Sequence, residues 1–284
     1  MKLSPIIQGC MKWGSWGARF TTKQYQEAIE LCLESGITSF DHADIYGGFS
    51  TEAEFGKAWT QMNIPREKIQ LISKCGIQIE HLRPNNKVKH YQYDANYIID
   101  AAKKSIQDLE CDYLDVFLLH RPSPLMNADE IEKAFSTLAE QNLVKEFGVS
   151  NFSIHEMSYL MKKVKISFNQ IQLSLLHSEP LTSGIMEFMK EHEIQTMCWN
   201  PLGNYFESKN EKLKSTVTEL AKKYNTDESG ILVAWLRKIH HQILPVIGTS
   251  NKARMEKAST YGEIELQAQE WFSLWEAARD CQVP

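Results

Sequence analysis

Eight short apolar, β-branched runs recur along this chain, with amphipathic stretches between them. The runs are SPIIQGC (4–10), GITSFD (36–41), KIQLISKC (68–75), YLDVFLLH (113–120), VKEFGVS (144–150), ISFNQIQ (166–172), EIQTMCW (193–199) and QILPVIGT (242–249). Parallel strands need a crossover connection to return to the same end of a sheet, and a helix is the usual crossover. Eight such repeats in 284 residues predict an α/β chain folded as a (β/α)8 TIM barrel, a single domain over residues 1–284. Between the first two runs, 22–35 keeps Ala28, Leu31 and Cys32 on one helical face, and Gly36 is a natural stop. Stretches 94–110, 129–142 and 211–224 have the same period. The alternative is an open doubly wound sheet, but no G-x-G-x-x-G follows the first run. No Pro/Ser-rich linker or shift in composition marks a second domain.

Two segments interrupt the rhythm. Residues 76–96 are too long and polar for a simple turn, and 200–210 follow the seventh run. Both leave the C-terminal ends of predicted strands, the face on which barrel enzymes build their sites.

Charge and cysteine usage narrow the function classes. A formal charge of −5 leaves no electrostatic footprint for nucleic acid or an anionic membrane. The six cysteines form neither a C-x-x-C pair nor a metal-like cluster with histidine, so the expectation is no metal, reduced thiols and a cytoplasmic setting. The N-terminus lacks a signal-peptide apolar region, and no run approaches the roughly 18 apolar residues of a membrane span.

The stretch FDHADIYGG (40–48) packs Asp41, His42, Asp44 and Tyr46 where the second run ends. Lys74 closes the third run in LISKCG, and His120 closes the fourth in VFLLHRP. Each alone is more often a solvated strand end or a structural hydrogen-bonder than a catalytic group. Together, Asp41, Tyr46, Lys74 and His120 reach one barrel mouth from three consecutive predicted strands. Their chemistry is coherent. A phenol with a pKa of about 10 is a poor acid for a carbonyl oxygen at neutral pH. A neighbouring ammonium favours the phenolate, an aspartate keeps that ammonium charged, and a histidine can hold the carbonyl oxygen. The hydride must come from a cofactor, because no side chain supplies one.

FDHADIYGG, LISKCG, VFLLHRP, FGVSNF, FNQIQLS, CWNPLG and VIGTSNKARMEKA follow the order and spacing of the aldo-keto reductases. The resemblance runs from Gly9 to about Ala258 and is strongest to the bacterial YdhF-type oxidoreductases. It implies a (β/α)8 barrel that uses NADP(H) to reduce carbonyls. Tyr46 would be the general acid, Lys74 its modulator, Asp41 the partner of the lysine, and His120 the group orienting the carbonyl. Ser150, Asn151 and Gln170 would hold the nicotinamide carboxamide, and Trp199 would stack on the ring. Asn200, Leu202 and Gly203 would follow the cofactor toward its pyrophosphate, with Gly9 and Met11 near the nicotinamide end. The last motif would take the phosphates. Gly248 lets the backbone approach, Thr249, Ser250 and Asn251 offer donors at a helix start, and Arg254 suits a 2′-phosphate. The chain departs from the common pattern at His42, where many members have threonine, and at Asn200, commonly serine. It also lacks the acidic residue and asparagine that many carry near Lys257 and Ala258 to contact adenine.

Trp13, Trp16, Phe49, Tyr91, Tyr93, Tyr205 and Phe206 are candidates either for lining the pocket mouth or for anchoring loops by packing. The expected partner is a small-molecule carbonyl substrate, with no nucleic acid and no membrane, and the expected state is a monomer. Arg121 could attract an acidic substrate or pair with a surface carboxylate. Two rival functions compete. A Schiff-base aldolase would use Lys74, which would have to be neutral. A non-catalytic NADPH-binding regulatory subunit would use an extended or basic tail, whereas the first predicted strand begins at residue 4.

Overall fold

The computed structural model describes residues 2–82, 86–240 and 243–283. Three residues of the predicted 76–96 loop, 83–85, and Gln242 of the predicted eighth strand lie outside them. The strands are β1 (Ile7–Gly9), β2 (Ser39–Asp41), β3 (Gln70–Cys75), β4 (Ile77–Gln78), β5 (His90–Tyr91), β6 (Leu114–Leu119), β7 (Val144–Ser150), β8 (Phe168–Gln172), β9 (Gln195–Trp199) and β10 (Leu244–Ile247). Eight of them close a parallel barrel in the order β1-β10-β9-β8-β7-β6-β3-β2. The predicted eight-stranded barrel is therefore the fold. Within the predicted 76–96 loop, β4 and β5 pair antiparallel as Ile77↔Tyr91 and Gln78↔His90.

The helices are α1 (Thr22–Glu34), α2 (Thr51–Trp59), α3 (Ala95–Asp108), α4 (Ala128–Glu140), α5 (Ile154–Leu160), α6 (Ile185–Glu191), α7 (Glu211–Lys223), α8 (Glu228–Ile239), α9 (Lys252–Ala258) and α10 (Ala268–Arg279). Their starts follow local chemistry. Thr21 and Gln24 form a capping box on α1, Asp94 accepts from Tyr97 N on α3, and Ser153 pairs with Glu156 on α5. In α1 the buried residues Tyr25, Ala28, Ile29 and Cys32 mark one helical stripe.

Among the described residues, two large apolar regions build the barrel, and a small third cluster of Ala43, Ile45, Tyr46 and Ile77 lies beside its mouth. One large region lies between the outer strand faces and the helices and includes Phe40, Leu71, Phe117, Leu119, Val149, Ile171 and Cys198. The other fills the lumen with Ile7, Ile72, Val116, Leu118, Phe168, Met197, Leu244 and Val246. Side chains alternate faces along a strand, so a residue two positions beyond a lumen residue also points inward. Counting two from Ile72, Leu118, Phe168 and Met197 gives Lys74, His120, Gln170 and Trp199. The lumen is thus apolar below and polar at its C-terminal mouth. Toward the other end, Asp115 near the start of β6 binds Arg66 at 2.7 Å and accepts from Leu71 N at 2.9 Å.

Candidate active site

Asp41 ends β2, Lys74 lies in β3, and His120 directly follows β6. Tyr46 sits on the turn after β2, which is folded back by hydrogen bonds from Tyr46 N to Ala43 O and from Gly48 N to Ile45 O. Gly47 and Gly48 adopt φ of 63° and 69°, a backbone that glycine enters without a Cβ penalty. The four side chains predicted to meet do meet. Lys74 Nζ donates to Asp41 Oδ2 at 2.7 Å, to the His42 backbone oxygen at 2.6 Å and to Tyr46 Oη at 3.3 Å. The His120 and Tyr46 rings lie edge to face with centroids 6.1 Å apart.

Electrostatics follow from burial. Burial alone would depress the Lys74 ammonium. The Asp41 carboxylate and Tyr46 more than offset this and hold it above the ordinary lysine value. For Tyr46, burial is the largest influence and raises the phenol, while the charge and hydrogen bond of Lys74 pull it back; the phenol stays above its usual value. The sequence-based expectation of a lowered phenol considered the ammonium without the desolvation. His120 is pushed well below the usual imidazole value by burial, then by Lys74 and Arg121, so its ring is neutral. Its Nδ1 is buried without a hydrogen-bond partner among the described residues.

A cavity of about 680 Å³ opens over this group. Of the residues singled out from sequence, Gly9, Met11, Asp41, Tyr46, His120, Gln170, Trp199, Asn200, Leu202, Gly248, Thr249, Ser250, Asn251 and Arg254 line it. Lys74 lies beneath Tyr46, fully buried, and is not part of the lining. Ser150, Asn151 and Gly203 are set back as well. Ser150 Oγ donates to the Gln170 backbone oxygen at 2.9 Å, and Asn151 Oδ1 accepts from Trp199 Nε1 at 2.8 Å. Gly203 has φ of 58° and lies against Ser174, where a Cβ would come within 2.3 Å of Oγ. Gln170 is tied down as well: its Nε2 donates to Asp41 Oδ1 at 2.8 Å across the lumen.

The aromatic candidates divide. Trp16 lines the cavity. Trp13 is fully buried among Phe20, Tyr25, Phe40 and Phe55, and Tyr205 is also core. Tyr93 is buried, donating its hydroxyl to the Arg121 backbone oxygen. The ring of Phe206 lies 5.9 Å from the Arg254 guanidinium.

Sequence reasoning missed Ile45 and Ile77 on the apolar side and Ser229 and Tyr261 at the far end of the cavity. Ile45 sits inside the quoted FDHADIYGG stretch and was findable there. Ser229 and Tyr261 come from α8 and from the turn after α9, and nothing local marks them.

The residues at the end of β10 fit a phosphate-bearing cofactor. A Cβ built on Gly248 would meet nothing within 4 Å, so the chain itself does not need glycine there, and the open space adjoins the cavity. Thr249, Ser250, Asn251 and Arg254 supply donors beside it.

A model of the aldo/keto reductase family matches residues 5–279. The chain belongs to the aldo/keto reductase family. Over 283 residues this reductase is 34% identical to 6-dehydroglucose reductase of Agrobacterium fabrum, covering 98% of this chain and 95% of that protein. It is 32% identical to oxidoreductase YdhF of Escherichia coli, covering 100% of this chain and 96% of that protein. Among solved structures, an aldo-keto reductase from Klebsiella pneumoniae in complex with NADPH superposes with a TM-score of 0.80 at 20% identity, over 99% of this chain and 92% of that one. Among the described residues, no helix of this reductase is long and apolar enough to cross a membrane, and no cluster of His, Cys, Asp and Glu could hold a metal ion.

Proposed function

We propose that this aldo/keto reductase, an NADP-dependent oxidoreductase, reduces small aldehydes or ketones to alcohols with Tyr46 as the general acid. The observation that carries this reading is the position of Lys74 Nζ, bonded at once to Asp41 Oδ2 and Tyr46 Oη beneath a cavity that His120 also lines. When bound, NADPH supplies the hydride. The chain does the rest. His120, neutral, offers one ring N–H to orient the carbonyl oxygen beside the phenol. Tyr46 gives its proton to that oxygen as negative charge develops. The Lys74 ammonium, held charged by Asp41, stabilises the phenolate left behind. Asp41 Oδ1 accepts from Gln170, so both carboxylate oxygens are engaged and the ion pair is fixed in orientation.

Trp199, Asn200 and Leu202 would carry the cofactor along one wall of the cavity, with Gly9 and Met11 at the nicotinamide end. Ser150 and Asn151 act by positioning Gln170 and Trp199, and Gly203 by shaping the turn. Gly248, Thr249, Ser250 and Asn251 would cradle the phosphates, with Arg254 on the 2′-phosphate.

The aldolase reading fares worse. All three N–H bonds of Lys74 are directed at acceptors and its charge is reinforced, so no free amine faces the cavity. The test is Tyr46→Phe. NADPH should still quench tryptophan fluorescence, while kcat for aldehyde reduction falls by about 10²–10⁴-fold. A near-normal kcat would sink the assignment.

A further inference from the structure

The cavity holds a cation that neither the proton relay nor the phosphate cradle uses. Arg121 follows His120 directly and lines the mouth, half-buried. Its Nη1 donates to the His120 backbone oxygen at 3.1 Å and to Ser150 Oγ at 3.5 Å, and the guanidinium lies 5.7 Å from the Trp199 ring centroid. All of these partners are neutral. Among the described residues, no carboxylate lies within ion-pair distance of Arg121. Among the described residues that line the cavity, Asp41 is the one carboxylate, and Lys74 already takes it. The neutral contacts anchor the guanidinium beside His120 and leave its Nε and Nη2 donors without a partner among the described residues. A planar fork of this kind matches a carboxylate in a bidentate way.

Topology separates Arg121 from the phosphate cradle. Around the ring β1-β10-β9-β8-β7-β6-β3-β2, β6 stands four strands from β10, directly across the barrel. Thr249 and Arg254 follow β10, whereas Arg121 follows β6 on the side of His120. Trp16, Ile45 and Ile77 supply an apolar wall in the same cavity.

We propose that Arg121 anchors a carboxylate of the substrate, so that the preferred substrate class is the oxo acids: small aldehydes or ketones with an apolar body and a carboxylate. This rests on the carbonyl-reductase reading. Arg121 then decides specificity rather than chemistry. It holds the acid group while His120 and Tyr46 engage the carbonyl oxygen.

Lys12 also lines this cavity and serves as the control cation. The experiment compares kcat/KM for benzaldehyde and 4-carboxybenzaldehyde with NADPH in the wild type, Arg121→Met and Lys12→Met. Fluorescence titration with NADPH confirms that each variant keeps its cofactor site. Wild type should favour the carboxylated aldehyde by about 10–100-fold, the scale of charge-assisted hydrogen bonds. Arg121→Met should bring that ratio close to one, and Lys12→Met should keep it. Benzoate should compete with benzaldehyde in the wild type and benzamide should not, a readout that needs no variant. A wild-type ratio at or below one, a ratio that survives Arg121→Met, a ratio lost only in Lys12→Met, or equal inhibition by benzoate and benzamide overturns the proposal. Absence of turnover with both aldehydes overturns the reductase reading itself.

Discussion

Among the described residues, the barrel carries two buried ion pairs, one toward each end, and they differ in what surrounds them. Toward its base, Asp115 Oδ2 binds Arg66 at 2.7 Å and accepts from Leu71 N, while Oδ1 reaches Lys145 at 3.3 Å. Arg66 also donates to the backbone oxygens of Ile69 and Tyr113 and stacks 4.0 Å from the Tyr113 ring centroid. Every partner there is part of the scaffold. At the mouth, Asp41 and Lys74 are paired just as closely, but the third bond of the lysine goes to a phenol that lines a cavity. A buried pair is weak evidence for function by itself. What distinguishes the mouth is a neighbour that faces open space and can exchange a proton.

That contrast can be broken by mutation. Lys74→Met should cut kcat by about 10²–10⁴-fold, because the phenol loses the charge that stabilises its conjugate base. It should also cost about 3–5 kcal/mol of stability, since a buried carboxylate is left without its cation. Asp115→Ala should cost a similar 3–5 kcal/mol in urea unfolding, by leaving Arg66 and the Leu71 amide without their acceptor. Its kcat below the unfolding transition should stay close to wild type. If Asp115→Ala abolishes turnover in folded protein, the two ends are coupled and the contrast fails.

A smaller effect sharpens the comparison between the two ends. Glu52 on α2 lies behind β3 and accepts from Ser73, the residue before Lys74, and from Ser105 on α3. Burial pushes its carboxyl from 4.5 up to about 7, opposed by the two serine hydrogen bonds and aided by Asp44 and Asp108. Because the folded value lies above the unfolded one, ionisation opposes the fold. The stability is fully present below about pH 4.5 and is lost as pH rises through about 7, a fall of about 3 kcal/mol at 1.36 kcal/mol per unit. Glu52→Gln should flatten that fall in unfolding curves recorded from pH 4.5 to 8, with no change in the pH profile of kcat. An unchanged slope would show that the shell carboxylate is already ionised in the folded protein.

Much of the mouth was legible in sequence because strands alternate. A polar residue two positions past an apolar lumen residue must also point inward, which places Lys74 above Ile72 and His120 above Leu118. The Asp115 pair was not legible. Asp115 sits inside YLDVFLLH with no local signal, and its partner Arg66 belongs to a connection 49 residues earlier. The same limit hid Ser229 and Tyr261, which reach the cavity from separate elements.

The sequence by itself determined the strand–helix alternation, the stop at Gly36 and the placing of Asp41, Lys74 and His120 at strand ends, because these depend on neighbours a few positions away. Only the tertiary structure decided which of those residues meet. Gln170 finds Asp41 across 129 residues, Trp13 leaves the mouth for the core, and Arg121 stands across the barrel from Arg254. It also decided the sign on Tyr46. A charge can be read from a neighbouring motif, but desolvation depends on how completely the barrel closes around the phenol.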